Sequence, residues 1–323
     1  MKAIVYTKYG SPDVLHLEEV EKPTPKDDEV LVKIHAAAVT VGDLIVVKGE
    51  PFLVRLMSGL LEPKNKIPGK EMAGRVEAVG ANVSQFKPGD EVFGDLYVCG
   101  LGAFAEYVCV PEAAIAQKPV NITFEEAASV TESSIVALQG LRDYGKIQPG
   151  QKVLINGASG GVGSFAVQIA KAFGAVVTAV CSTQNLAMAR SIGADFVIDY
   201  TQEDFTQNEQ RYDLILAANG YHSISDYKRA LCPNGIYVMT GGSMAQMSQA
   251  IFRGPWISMT GSKKMGNMIL KPNKNDLVFM KKLLETGKVK PVIDRCYPLS
   301  EVPAALRYLE GGHAAGKVVI TIV

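Results

Sequence analysis

The stretch Lys152 to Lys171, KVLINGASGGVGSFAVQIAK, constrains the fold most, because an apolar run passes through clustered glycines into a helix-periodic segment. That order predicts a strand, a tight turn and a helix. Ala158, Gly160 and Gly163 hold the three small-residue positions of a dinucleotide fingerprint: space for the turn, for a pyrophosphate against the backbone, and for the helix to lie on its strand. Ser159, Gly161 and Val162 complete the loop, and the amides opening the helix would face the phosphates with partial positive charge.

The chain around this stretch has two textures. From the start to residue 122, MKAIVY, EVLVKIHAAAV and AGRVEAVG read as strands, and FKPGDEVFG carries a turn into another. At Thr123 the spacing turns helical, with Thr123 as cap and Glu126 completing a capping box. From Lys152 on, strands at VLING, AVVTAVCS, DFVIDY, YDLILAANG, IYVMTGG and WISMTG alternate with helices, which predicts an α/β fold with a doubly wound parallel sheet. After Gly266 come a further helix and GKVVITIV, whose strand returns to the first domain. The expected organisation is a β-barrel domain over 1–122 and 267–323, and a Rossmann dinucleotide-binding domain over 123–266.

Composition narrows the partners. With 323 residues and 47% hydrophobic content the chain can bury two cores. Lys plus Arg and Asp plus Glu number 33 each, so no net field favours nucleic acid or an anionic membrane, and a small-molecule partner is expected. No apolar run reaches the ~18 residues of a membrane span. Five scattered cysteines without a CxxC pair suit reduced thiols, and a cytoplasmic location is expected.

GQKVLINGASGGVGSFAVQIAK, with IPGKEMAGRVEAVGANVSQFKPGDEVFG upstream and GKVVITIV at the end, resembles the medium-chain dehydrogenase/reductase superfamily, and within it the zinc-independent quinone oxidoreductases of the zeta-crystallin-like branch. The resemblance covers essentially the whole chain. It implies a GroES-like barrel beside a Rossmann domain, and NADPH-dependent reduction of a quinone or enone between them; relatives are commonly homodimers. Zinc-dependent members of this fold place metal ligands where this chain reads Thr40-Val41-Gly42-Asp43 and Gly69-Lys70-Glu71, and neither a threonine hydroxyl nor an ammonium suits zinc. No metal is expected.

The strand after the glycine helix ends in Cys181-Ser182-Thr183-Gln184-Asn185, without the acid that NAD-preferring sheets use on the ribose. Ser182 and Thr183 could bind a 2′-phosphate, with nothing there to repel it. Tyr200 sits where resembling NADPH enzymes use a tyrosine; packing is its alternative. Basic residues that relatives carry near Gln184 are missing. Topology puts Ala218-Asn219-Gly220 and Gly241-Gly242-Ser243 beside the ribose and nicotinamide. Lys317 aligns with a basic position that touches the pyrophosphate in relatives, or is a solvated strand-edge lysine.

Hydride transfer needs orientation and oxyanion stabilisation, not a nucleophile. Thr40, where the family often has asparagine, is the expected hydrogen-bond donor to cofactor or substrate, and Asp43 a supporting group. Proton delivery is left among water, Tyr97 and Lys70, with a surface role favoured for Lys70. The apolar segment 49–66 reads as a pocket lid or as packing surface. The rival readings are a zinc-free alcohol or aldehyde reductase, and a nucleotide-binding protein whose catalysis is vestigial.

Overall fold

The computed structural model describes residues 1–97, 99–219 and 222–322. The chain forms two compact units, one of residues 1–132, 272–285 and 293–323, the other of residues 133–271 and 286–292.

The first unit opens with the antiparallel pair β1 (Lys2–Val5) and β2 (His16–Glu19). Its organising strand is β3 (Glu29–Val39), eleven residues rich in valine and alanine that bury Val32, Ile34 and Val39. Then come α1 (Val41–Lys48), α2 (Arg55–Ser58), β4 (Glu71–Val79), β5 (Glu91–Asp95), β6 (Tyr107–Pro111), β7 (Ile115–Gln117) and α3 (Phe124–Ala128). The capping box expected at Thr123 is present: Thr123 Oγ1 accepts from the Glu126 N–H at 3.2 Å and Glu126 Oε2 accepts from the Thr123 N–H at 2.8 Å. α3 packs on β3 and β4, so the unit runs on past residue 122 to Glu132. The helical run beyond it is broken into α3, α4 (Thr131–Gln139) and a wider turn over Gly140–Tyr144.

In the second unit, β8 (Lys152–Asn156) leads into α5 (Gly161–Ala172), followed by β9 (Val176–Cys181), α6 (Leu186–Ser191), β10 (Phe196–Asp199), β11 (Tyr212–Ala217), α7 (Ile224–Ala230), β12 (Leu231–Met239), α8 (Met244–Thr260) and β13 (Lys264–Asn267). The six strands pair in parallel in the order β10-β9-β8-β11-β12-β13, the doubly wound Rossmann arrangement. Val153, Leu154 and Ile155 at its centre are fully buried, which explains their continuous apolar run.

One expected strand is helix. WISMTG lies in α8, which Ser243 caps through its hydroxyl and which continues through Pro255. The place beside β12 goes to Lys264–Asn267, where Met265 is buried, whereas Trp256 is 70% exposed and would gain no cover there.

The chain closes with α9 (Lys274–Glu285), β14 (Ile293–Pro298), α10 (Val302–Glu310) and β15 (Lys317–Thr321), all in the first unit. β15 lies between β14 and β3 in a sheet ordered β14-β15-β3-β4-β5-β7, with β6 also on β3. Its core joins Ile34, Met72, Leu96, Phe104, Val318 and Ile320. No described helix is long and apolar enough to cross a membrane.

Candidate active site

In the second unit the chain turns at Gly157, whose φ of +81° favours glycine, and the Gly157 and Ala158 N–H groups donate to Val180 O at 3.2 and 3.0 Å. This ties the turn to β9 before α5 begins. A Cβ on Gly163 would come 2.0 Å from Gly157 O, so only glycine lets the helix lie this close to the strand. A Cβ on Gly160 would meet nothing nearer than 3.7 Å, and no side chain caps the helix. The first-turn N–H groups of Gly161, Val162 and Gly163 therefore lack intrahelical acceptors on an open side, beside the half-exposed Ser159. This tight back and open front fit the pyrophosphate of a dinucleotide.

The other expected cofactor residues follow the carboxyl ends of neighbouring strands. Asn219 packs against Gly157 and donates its N–H to Asn156 O at 3.1 Å. The Gly241 N–H donates to Ala217 O at 3.2 Å, Gly242 has a φ of +135°, and Ser243 caps α8. Gly220 lies outside the described residues. Below these loops, and without a sequence signal, Asn156 Nδ2 donates to Tyr227 Oη at 2.7 Å, and Gln246 Nε2 lies 3.2 Å from both Tyr227 Oη and Tyr237 Oη.

At the end of β9, Ser182 Oγ accepts from Asn185 Nδ2 at 3.1 Å. Thr183 Oγ1 does not stand open for a phosphate: it donates to Asp199 Oδ2 at 2.5 Å. Asp199 Oδ1 accepts from the Thr201 N–H and hydroxyl at 3.0 and 2.8 Å. The expectation that nothing here repels a 2′-phosphate is thus corrected, because a carboxylate missing from the second strand arrives from the third. The Thr183 hydroxyl holds Asp199 below the usual carboxylate range, assisted by Thr201. Tyr200 is 60% exposed, so its ring is not packing material.

In the first unit the stretches around Thr40 and Lys70 meet. Thr40 and Asp43 form the capping box of α1: the Thr40 N–H and hydroxyl donate to Asp43 Oδ2 at 2.8 and 2.7 Å, and Thr40 Oγ1 accepts from the Asp43 N–H at 3.2 Å. The single Thr40 hydroxyl hydrogen is spent on Asp43, which leaves none for a substrate in this arrangement. Lys70, read as a surface lysine, is 4% exposed and donates to Glu132 Oε1 at 2.6 Å. A Cβ on Gly42 would lie 2.2 Å from its ammonium, so the glycine in the first turn of α1 makes room for it. Burial alone would lower this amine, but Glu132 and Asp43 outweigh it and hold Lys70 above the usual lysine range.

Lys317 is at neither place expected of it. At 3% exposure it pairs inside the barrel with the fully buried Glu71 carboxylate, which also accepts from Thr131 Oγ1 at 3.0 Å and the Glu132 N–H at 2.6 Å. As the first residue of β15, between β14 and β3, it has no solvent on either flank, and its ammonium is engaged by Glu71 rather than open to a pyrophosphate. Burial pushes Asp43 up to about 6, against the opposing pull of Lys70 and of the Thr40 hydroxyl. Burial and Glu132 push Asp95 up to about 7, against the Tyr97 N–H donated to it at 2.8 Å. Among the described residues no group of three or more His, Cys, Asp or Glu is arranged to hold a metal ion.

These carboxyls make stability depend on pH. Asp95 keeps its proton in the folded chain up to about pH 7 but loses it near pH 4 when unfolded, so the unfolded state is favoured as pH rises between those values. Asp95→Asn keeps the acceptor for the Tyr97 N–H and cannot ionise. It is expected to raise unfolding free energy by about 2–4 kcal/mol at pH 8 and by almost nothing at pH 4. Urea titrations at both pH values check this, and an equal effect at both would sink it.

In segment 49–66 the large apolar side chains of Phe52, Leu53, Leu56, Met57 and Leu61 stand 60–89% exposed.

Residues 26–120 match the family described as "Alcohol dehydrogenase GroES-like domain", and residues 192–320 the family described as "Zinc-binding dehydrogenase". The chain is 39% identical to the 2-methylene-furan-3-one reductase of Solanum lycopersicum, over 99% of this chain and 79% of that protein. It is 34% identical to the NADPH-dependent alkenal/one oxidoreductase of Arabidopsis thaliana chloroplasts, again over 99% and 79%. The structure of a quinone oxidoreductase from Coxiella burnetii superposes with a TM-score of 0.88 at 29% identity, covering 100% of this chain and 99% of that one.

Proposed function

Because the chain belongs to the quinone oxidoreductase family of the medium-chain dehydrogenase/reductases, we propose that it reduces a quinone or an α,β-unsaturated carbonyl with NADPH, without zinc. The observation that carries this is the cradle at the head of α5, closed behind by Gly163 and open in front at Gly160. NADPH, when bound, supplies the hydride. The residues of this chain do the rest. The loop Ala158 to Gly163 binds the pyrophosphate; Ser182, Thr183 and Tyr200 frame the adenosine ribose; Asn219, Gly241 and Gly242 flank the nicotinamide end.

Lys70 supplies the positive charge for the oxygen that becomes enolate or quinolate. Held above the usual lysine range, it stays cationic through neutral pH and so acts as a fixed hydrogen-bond donor, with water supplying the proton. Thr40 and Asp43 position it by capping the helix whose Gly42 leaves the ammonium its space. Lys70 in place of a neutral donor, and Glu71 engaged by Lys317, favour a site without zinc.

A homodimer in a reducing compartment such as the cytoplasm completes the reading. Exposed Met244, Phe252, Trp256 and Met259 along α8, and five unpaired cysteines, favour it, and sedimentation velocity checks the dimer.

Steady-state NADPH consumption tests the activity. A 2-alkenal and an ortho-quinone are expected to be reduced with higher kcat/KM than a saturated aldehyde of the same length. Faster turnover of the saturated aldehyde would make the chain an alcohol or aldehyde reductase. Tight NADPH binding with no turnover would leave only a nucleotide-binding protein.

A further inference from the structure

The end of the second strand of a dinucleotide-binding sheet is where an acid usually accepts a hydrogen bond from the adenosine ribose. Here that position reads Cys181-Ser182-Thr183, three residues without a carboxylate. Asp199, the last residue of β10, is the register partner of Cys181, and its Oδ2 lies 2.5 Å from Thr183 Oγ1. The carboxylate therefore already takes a hydrogen bond from a hydroxyl at the place where the ribose acid would work. We propose that Asp199 supplies, from the third strand, the ribose-hydroxyl acceptor missing from the second, so that this chain binds NADH alongside NADPH. The inference rests on the dinucleotide reading above and concerns which dinucleotides the site takes.

Charge and geometry agree. Asp199 is half-exposed at the carboxyl edge of the sheet, the edge that faces ligands. Both hydrogen bonds from Thr201 go to Oδ1, while among the described residues Oδ2 takes only the Thr183 hydroxyl, so a lone pair of Oδ2 remains for a ribose hydroxyl. Among the described residues no lysine or arginine forms an ion pair with Asp199, so its charge is uncompensated at close range. A 2′-phosphate beside it brings a further charge of the same sign, whereas a 2′-hydroxyl brings a donor.

The opposing influence is Arg190, in the last turn of α6. Burial raises the Cys181 thiol above its usual range, Asp199 raises it further, and Arg190 pulls the other way. Arg190 stands in the last turn of the helix that follows this strand end and is the cation tested here against a 2′-phosphate.

The adenosine halves of the cofactors test this apart from catalysis. Calorimetric binding of 5′-ADP and 2′,5′-ADP is measured on the full chain, its Asp199→Asn variant and its Arg190→Gln variant. Wild type is expected to bind the two nucleotides within about tenfold of each other, and removal or reversal of one charged contact to move the ratio by about tenfold. Asp199→Asn is expected to move it toward 2′,5′-ADP, and Arg190→Gln toward 5′-ADP. Asparagine retains an acceptor for the Thr183 hydroxyl, and an unchanged thermal midpoint verifies the fold. A ratio unmoved in a folded Asp199→Asn variant, or a wild type that selects 2′,5′-ADP by more than about a thousandfold, overturns the proposal. If wild type binds neither nucleotide, the dinucleotide reading fails and the role of Asp199 with it.

Discussion

Lys317→Met is expected to be among the most damaging single changes in the barrel, costing about 3–5 kcal/mol of stability at pH 8. Glu71 is fully buried and accepts from the Lys317 ammonium, the Thr131 hydroxyl and the Glu132 N–H. Methionine matches the stem of the lysine but leaves a carboxylate in the core with no counter-charge. That carboxyl can escape only by taking up a proton, so the folded-state pKa of Glu71 rises further above its unfolded value. A raised carboxyl favours the folded state at low pH and loses that advantage as pH rises. The deficit of the variant is therefore expected to be smaller at pH 5 than at pH 8. Glu71→Gln combined with Lys317→Met removes the stranded charge and keeps an acceptor for Thr131, and most of the lost stability is expected to return. Urea unfolding of wild type and the two variants measures this. A loss under about 1 kcal/mol for Lys317→Met would show that the pair contributes little.

The second large effect concerns turnover. Lys70→Met is expected to lower kcat with a 2-alkenal by about 10²–10³, the usual consequence of removing one oxyanion donor. Affinity for NADPH, measured by fluorescence, is expected to stay near wild type, because the backbone N–H groups of the glycine cradle, not Lys70, hold the pyrophosphate. Glu132 and Asp43 keep the ammonium charged, so the wild-type rate is expected to show no step from Lys70 between pH 6 and 9. A kcat unchanged in the variant, or a loss confined to NADPH binding, would remove Lys70 from the chemistry. Gly42→Ala offers a milder form of the same experiment: its methyl would sit 2.2 Å from the ammonium and must displace it.

Much of the fold was legible because its signals are local. Thr123 and Glu126 stand three residues apart and satisfy each other's backbone groups, whatever surrounds them. The glycines of GASGGVG act within one turn, and the apolar run of KVLIN reflects burial on both faces of a parallel sheet. WISMTG misled for the converse reason. Its aromatic and β-branched residues suit a strand and Pro255 suits a break, yet the place beside β12 was decided by which segment could bury a side chain there. Met265 does, and Trp256 does not.

The candidate site divides the same way. Thr40 was legible as a hydrogen-bonding group with Asp43 in support, but not that the Thr40 hydroxyl is spent on Asp43. Lys70 and Lys317 look like surface lysines because burial of an ammonium depends on a carboxylate far away in sequence. Lys317 meets Glu71 only because β15 lies beside β3, which in turn pairs with β4. Asp199 is visible in DFVIDY, yet nothing in the sequence says that it faces Thr183.

By itself the sequence determined the strand, turn and helix of the cradle and the alternation behind the parallel sheet. Each depends on sterics, capping or periodicity within a few residues. Only the tertiary structure decided the charges: which lysines are buried, which carboxyls rise toward neutrality, and that a third-strand aspartate reaches the end of the second. Coulomb energies and desolvation depend on distance and burial in space, and strand order sets both.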